Sequence, residues 1–155
     1  MAATSTNKQP LLVDRVLHYV TNLDAATVGS IDITGTNTAI IIVDSTQLDG
    51  AIIEDIYSIA RSTNQSTINL YISSQADYLR PNEGILVGQF TSATTIGSKT
   101  SWDGMPKILA PMPQTGTDTQ FKALYLPKGK ALWAARESSS IATDGPLLGV
   151  QGGWY

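Results

Sequence analysis

The last third of the chain, Phe121 to Tyr155, limits the fold more than any other stretch. It reads Phe121-Lys122-Ala123-Leu124-Tyr125-Leu126, then the turn Pro127-Lys128-Gly129, then Lys130-Ala131-Leu132-Trp133-Ala134-Ala135. A final apolar run, Leu147-Leu148-Gly149-Val150, leads into Gly152-Gly153-Trp154-Tyr155. Short apolar runs punctuated by Pro and Gly read as strand, tight turn, strand, loop, strand. The Leu126 to Trp133 piece has the grammar of a β-hairpin. The segment sets the class as all-β and holds no candidate reaction centre.

The rest of the chain repeats that rhythm. Met1 to Pro10 is small, polar and closed by a proline, as expected of a flexible N-terminal arm. Leu11 to Leu23 fits two patterns. Leu12, Val16, Tyr19 and Leu23 fit a helical stripe, whereas Val13, Arg15, Leu17 and Tyr19 would share one strand face. Its β-branched and aromatic content, with no clear N-cap before it, favours an extended segment. Ile31-Asp32-Ile33 alternates, and Ala39 to Val43 reads as a fully apolar strand deep in a sandwich. Asp49-Gly50 is a strong hairpin-turn dipeptide. Ala51 to Arg61 follows it. Ile52, Ile56 and Ile59 have helical spacing, but the Ile and Tyr content favours strand. Ser62 to Ser66 is a polar turn. Thr67 to Ile72 alternates cleanly, which predicts Ile68, Leu70 and Ile72 inward.

A turn at Arg80 to Gly84 precedes a strand at Ile85 to Phe90. Thr91 to Gly104 reads as an exposed Thr/Ser/Gly loop carrying one large apolar residue, Trp102. Met105 to Pro113 holds Pro106, Pro111 and Pro113, which belong at a sheet edge or in an irregular connection. Eight or nine short strands at this spacing predict a two-layer antiparallel β-sandwich. The expected organisation is an arm over 1–10 and one sandwich domain over 11–155.

Composition narrows the function. The net charge is −3, and the ten Lys and Arg residues are scattered, which argues against nucleic acid as the main ligand. The densest basic group, Lys122, Lys128, Lys130 and Arg136, reads as a solvated turn. Ser and Thr make up about a fifth of the chain and suit exposed strand faces. With no cysteine there are neither disulfides nor thiolate metal sites. The N-terminus lacks a secretory h-region, and the longest apolar run is too short to cross a bilayer, so synthesis in a cytoplasm and no membrane insertion are expected.

No chemistry stands out. His18 is the only histidine, and neither a Gly-x-Ser-x-Gly elbow nor a phosphate loop occurs. Glu54-Asp55 would point to opposite strand faces, and Asp24, Asp44 and Asp49 are isolated beside turns, where Asp commonly bonds backbone groups. A calcium site assembled from separate loops is the alternative left open, since backbone carbonyls also serve. Asn64-Gln65-Ser66 matches a glycan acceptor but reads as a hairpin turn. No catalytic residue, metal or cofactor is expected, and the chain reads as a non-enzyme. Three aromatics remain: Trp102 in a polar loop, with Trp154 and Tyr155 at the end. Either they plug the ends of the sandwich or they anchor a neighbouring subunit, since Trp and Tyr concentrate in interface hot spots. Trp133, mid-strand, reads as core.

The order of these elements resembles a known family. It runs through Asp49-Gly50-Ala51-Ile52-Ile53-Glu54-Asp55-Ile56, Ile68-Asn69-Leu70-Tyr71-Ile72-Ser73, Tyr125 to Ala134, and Gly149-Val150-Gln151-Gly152-Gly153-Trp154-Tyr155. Over roughly residues 40 to 155 it is similar to small β-sandwich virion proteins of tailed bacteriophages. The resemblance implies a jelly-roll-like sandwich that decorates or cements a capsid, bound to the major capsid protein or other virion proteins. A neck, tail or fibre component is the alternative within the virion, and a carbohydrate-binding module using Trp102 is the alternative of another class. The arm could add a strand to a neighbour's sheet, since ten extended residues reach roughly 33 Å. That makes Gln9, Pro10 and Leu11 interface candidates beside Trp102, Trp154 and Tyr155. Symmetric virion assembly implies a homo-oligomer.

Overall fold

A computed structural model describes residues 15–23, 39–46, 49–75, 83–106, 122–137 and 145–154. These residues form nine strands: β1 Arg15–Asn22, β2 Ala39–Asp44, β3 Gly50–Ile59, β4 Thr67–Ser73, β5 Ile85–Thr91, β6 Lys99–Ser101, β7 Leu124–Pro127, β8 Ala131–Arg136 and β9 Leu147–Trp154. They pair antiparallel into two sheets. The first has the order β1-β9-β3-β6, with β7 also on β3; the second has the order β2-β8-β4-β5. With β7 set aside, the strands in chain order are distributed as first, last, third and sixth against second, seventh, fourth and fifth. That is the arrangement of an eight-strand jelly roll, two Greek keys folded on one another. The chain is an all-β sandwich of this kind. The arm over 1–10 and the Ile31 to Ile33 strand lie outside the described residues.

The core lies between the sheets. Leu17, Ile53, Ile56, Leu148 and Val150 from the first sheet meet Ile42, Val43, Ile68, Leu70, Leu132 and Ala134 from the second. Strand alternation puts every other residue on this face, and Ile53, Ile56, Ile68 and Leu70 have no exposed surface. Each such side chain contributes roughly 1.5–3 kcal/mol by burial. Strand β4 follows the expected alternation, with Ile68 and Leu70 in the core and Ile72 packed against it.

The second sheet is covered on both faces. Leu132 and Ala134 face the main core, while Trp133, Ala131 and Ala135 form a second cluster with Ala39, Tyr71 and Ile41. Trp133 is thus buried, as its mid-strand position suggested, but outside the inter-sheet core; its indole N–H donates to the Gln75 carbonyl at 3.2 Å. The same double coverage explains the apolar β2. That strand is an edge, not a central strand. A bulge between Ile41 and Val43 turns both Ile42 and Val43 inward, leaving Ile41 for the outer cluster.

Strand β3 matches the strand favoured for Ala51 to Arg61, and its register explains the helical spacing seen there. Its pairing with β9 shifts between Ile53 and Asp55, so Glu54 is an extra residue. The bulge puts Ile53 and Ile56 both in the core. A three-residue step between inward side chains is what a helix would show. Ile52, Ile56 and Ile59 do not share a face: Ile52 and Ile59 lie on the outer side, aligned with Gly153 and Leu147 of β9.

The expected hairpins are corrected. Pro127-Lys128-Gly129 does not join paired strands, because β7 pairs with β3 in one sheet and β8 lies in the other. It is a corner carrying the chain across the sandwich. Lys130 N–H donates to the Pro127 carbonyl at 3.2 Å, and Gly129 has φ 78°, a backbone that favours glycine. Ser45 fills the corner. Its N–H donates to the Lys130 carbonyl at 3.1 Å, its carbonyl accepts from Gly129 N–H at 3.1 Å, and its buried Oγ lies 2.6 Å from the Lys130 carbonyl. Asp49-Gly50 and Ser62 to Ser66 are likewise crossings between sheets, from β2 to β3 and from β3 to β4.

Candidate functional site

Trp102 is not an exposed loop residue. It follows the short strand β6, is 6% exposed and belongs to the main core. Its backbone N–H donates to the Ile56 carbonyl at 2.8 Å, fixing it beside β3. The indole lies against Gly88 of β5; a Cβ there would sit 2.0 Å from the ring, and one at Gly104 would sit 2.5 Å from Nε1. Strand β5 edges one sheet and β6 the other. Trp102 therefore closes the open side between them, the plugging role, and offers no face to a sugar ring. A Ser/Thr/Gly-rich loop hid this because the glycines are the socket.

Trp154 is half-buried at the end of β9 and packs on the core. It stands in register with Arg15 and Ala51, so it too points inward. Tyr155, Gln9, Pro10 and Leu11 lie outside the described residues. Among the basic group, Arg136 is buried, not solvated; its Nη1 donates to the Leu23 carbonyl at 3.3 Å. Lys122, Lys128 and Lys130 do reach polar partners at turns: the Asp103 carbonyl, the Asp49 carboxylate and Ser74 Oγ. The hydrogen bond and charge of Lys128 hold the Asp49 carboxyl below its ordinary value of 3.8. Both groups are exposed and screened, so the pair contributes little to stability. Asp44 accepts from Thr46 N–H at 2.9 Å and from its hydroxyl at 2.6 Å, the turn role foreseen for it.

The surface best suited to contact is the outer face of the first sheet. Its cross-strand rows follow from the registers of β1, β9 and β3. One row is Val16, Gly153 and Ile52, continued by Tyr125 of β7. The next is His18, Gln151 and Asp55; then come Val20, Gly149 and Tyr57; then Asn22, Leu147 and Ile59. Glycines in central β9 leave room that neighbours fill. A Cβ on Gly149 would fall 2.2 Å from the Tyr57 ring, so Tyr57 lies flat across the strand. Lys99 sits 4.3 Å over that ring and pairs with Asp55 at 2.5 Å. His18 Nε2 is 3.4 Å from the Tyr57 hydroxyl.

This arrangement presents shape and apolar surface. Val16 is 84% exposed and Val20 44%, both on the outer face of β1; Tyr19, 43% exposed at the same edge, is on the inward side with Val150. Among the described residues no cluster of three His, Asp or Glu is placed to hold a metal ion, and no helix long and apolar enough to cross a membrane occurs among them. Sequence reading did not single out Val16, Val20 or Tyr125. The alternation of β1 was visible, but which of its faces is exposed, and that it lies at an edge, depends on pairing with the distant β9.

Comparison with protein-family models, with curated proteins and with solved structures finds no match to this chain.

Proposed function

We propose that this chain is a non-enzymatic structural virion protein, a capsid decoration module that binds and stabilises a shell of major capsid protein. The strand order carries the reading. Jelly rolls are used by viral capsid domains as well as by lectins and cupins, and a fold alone does not choose among them. The order of motifs from Asp49 to the terminal Gly152-Gly153-Trp154-Tyr155 tips the choice toward the virion. So does a contact surface of valines, glycines and tyrosines, which suits docking on a repeated protein lattice. The carbohydrate-binding alternative relied on an accessible Trp102, and that side chain is buried.

The test is quantitative mass spectrometry of purified particles from infected cells. Hundreds of copies per particle are expected for a decoration protein. A single ring's worth would move the protein to the neck or tail, and absence from particles would refute a virion role. Removal of residues 1–10 should leave the folded core intact and weaken particle binding, read by circular dichroism and co-sedimentation with shells.

A further inference from the structure

Sheet edges invite pairing with other chains, and folded proteins usually guard them. Most edges here are guarded. Strand β6 has three residues and carries Lys99; β7 has four and ends in Pro127. Strand β2 has a bulge after Ile41. Strand β5 is bulged opposite the Leu70–Tyr71 step, and Trp102 lies over its Gly88. Strand β1 has none of these devices. It runs eight residues with unbroken register against β9, without Lys or Pro, and its other side pairs with no strand among the described residues. It also carries three of the large exposed apolar side chains, Val16, Tyr19 and Val20.

The sequence of β1 is close to a palindrome in side-chain type: Val16-Leu17-His18-Tyr19-Val20. We infer that β1 is the pairing edge for a second copy of this chain, two β1 strands meeting antiparallel about a two-fold axis through His18. A two-fold normal to the sheet keeps each residue on its own face, so partners must share parity, and a centre at His18 satisfies that. On the outer face Val16 then opposes Val20 of the second copy, and His18 opposes His18. On the inner face Leu17 opposes Tyr19, an aliphatic–aromatic pair of the kind that stabilises sheets. Arg15 opposes Thr21, and the two Arg15 side chains stand roughly 20 Å apart along the strands, so no like charges meet. Two five-stranded sheets would join into one. An isologous contact of this kind closes as a dimer and does not propagate. A strand pair is small beside the roughly 1,000 Å² of a stable interface, so dimerisation is expected to be weak and concentration-dependent. The inference rests on β1 alone and is independent of the virion reading.

Sedimentation equilibrium of the full chain, with cysteine placement in β1, tests it. The wild type should pass from monomer to dimer as concentration rises. Val16→Lys combined with Val20→Lys, both exposed and checked for folding by circular dichroism, should weaken association at least tenfold. The native chain has no cysteine, so single substitutions report the register. Residues directly opposite in a sheet have Cβ atoms about 4.5–5.5 Å apart, within easy reach of the 3.5–4.5 Å a disulfide needs. His18→Cys should therefore give a disulfide dimer on mild oxidation. Val16→Cys and Val20→Cys should not, because each would stand roughly 14 Å from its own copy. A wild type that stays monomeric at millimolar concentration would overturn the inference. So would cross-linking that is strongest at position 16 or 20, or that fails at 18.

Discussion

Ser58 shows how little slack the core leaves for a polar atom. It lies on β3 with no exposed surface, on the inward side opposite Leu148, and its hydroxyl has no hydrogen-bond partner among the described residues. A buried hydroxyl without a partner costs about 1–3 kcal/mol by mutational data. Ser58→Ala removes it with almost no change in volume. The variant should be more stable than wild type by about 1 kcal/mol, read as a higher denaturant midpoint with an unchanged slope. A loss of stability would mean that the hydroxyl has a partner after all. Trp102 is the opposite case: a large side chain whose fit depends on glycine at positions 88 and 104.

At the scale of elements, the corner from β7 to β8 is the most informative. Ser45, from the turn after β2, accepts from Gly129 N–H and donates its own N–H to the Lys130 carbonyl, so Ser45 and Gly129 hold the same crossing. Ser45→Ala loses one hydroxyl bond to the Lys130 carbonyl, worth about 1 kcal/mol. Gly129→Ala forces a side chain onto a left-handed backbone, costing about 1–2 kcal/mol. The double variant should fall short of the sum by more than about 0.5 kcal/mol, because the sites share partners; urea melts of the three variants check this. Strand existence was legible for most of the described elements: β2, β4, β5, β7, β8 and β9 all fall on runs whose apolar pattern marks them. The destination of each turn was not. A Pro-Lys-Gly turn looks the same whether the next strand sits about 4.8 Å away in the same sheet or about 10 Å away in the facing one. Only distant partners, such as Ser45 against Gly129, tell the two apart. Bulges hid in the same way, since one inserted residue at Glu54 turned a period of two into a step of three. The contact surface was legible only as separate valines and tyrosines, because β1 and β9 come together from opposite ends of the sequence.

Across the whole molecule, β9 is the keystone. It lies between β1 and β3, supplies Leu148 and Val150 to the core, and ends on the inward Trp154. Without it, β1 has no partner among the described strands and the first sheet loses its centre. A chain ending at Pro146 should show no cooperative thermal transition by circular dichroism and should aggregate in size-exclusion chromatography. A folded monomer would show that the first sheet closes without β9. Pairings between such remote segments also set the pace, since non-local contacts make all-β folds slow, on the order of milliseconds to seconds.

The β1–β9 pairing also orders events on the ribosome. Everything between Asn22 and Leu147 must be synthesised before β1 can meet its partner, which at roughly 5–20 residues per second is on the order of ten seconds. Through that interval Val16, Leu17, Tyr19 and Val20 emerge and wait unpaired. Neighbouring ribosomes on one message hold sister chains in the same state, side by side. The yield of folded protein is therefore decided by translation speed, message crowding and chaperone supply before final stability has any say.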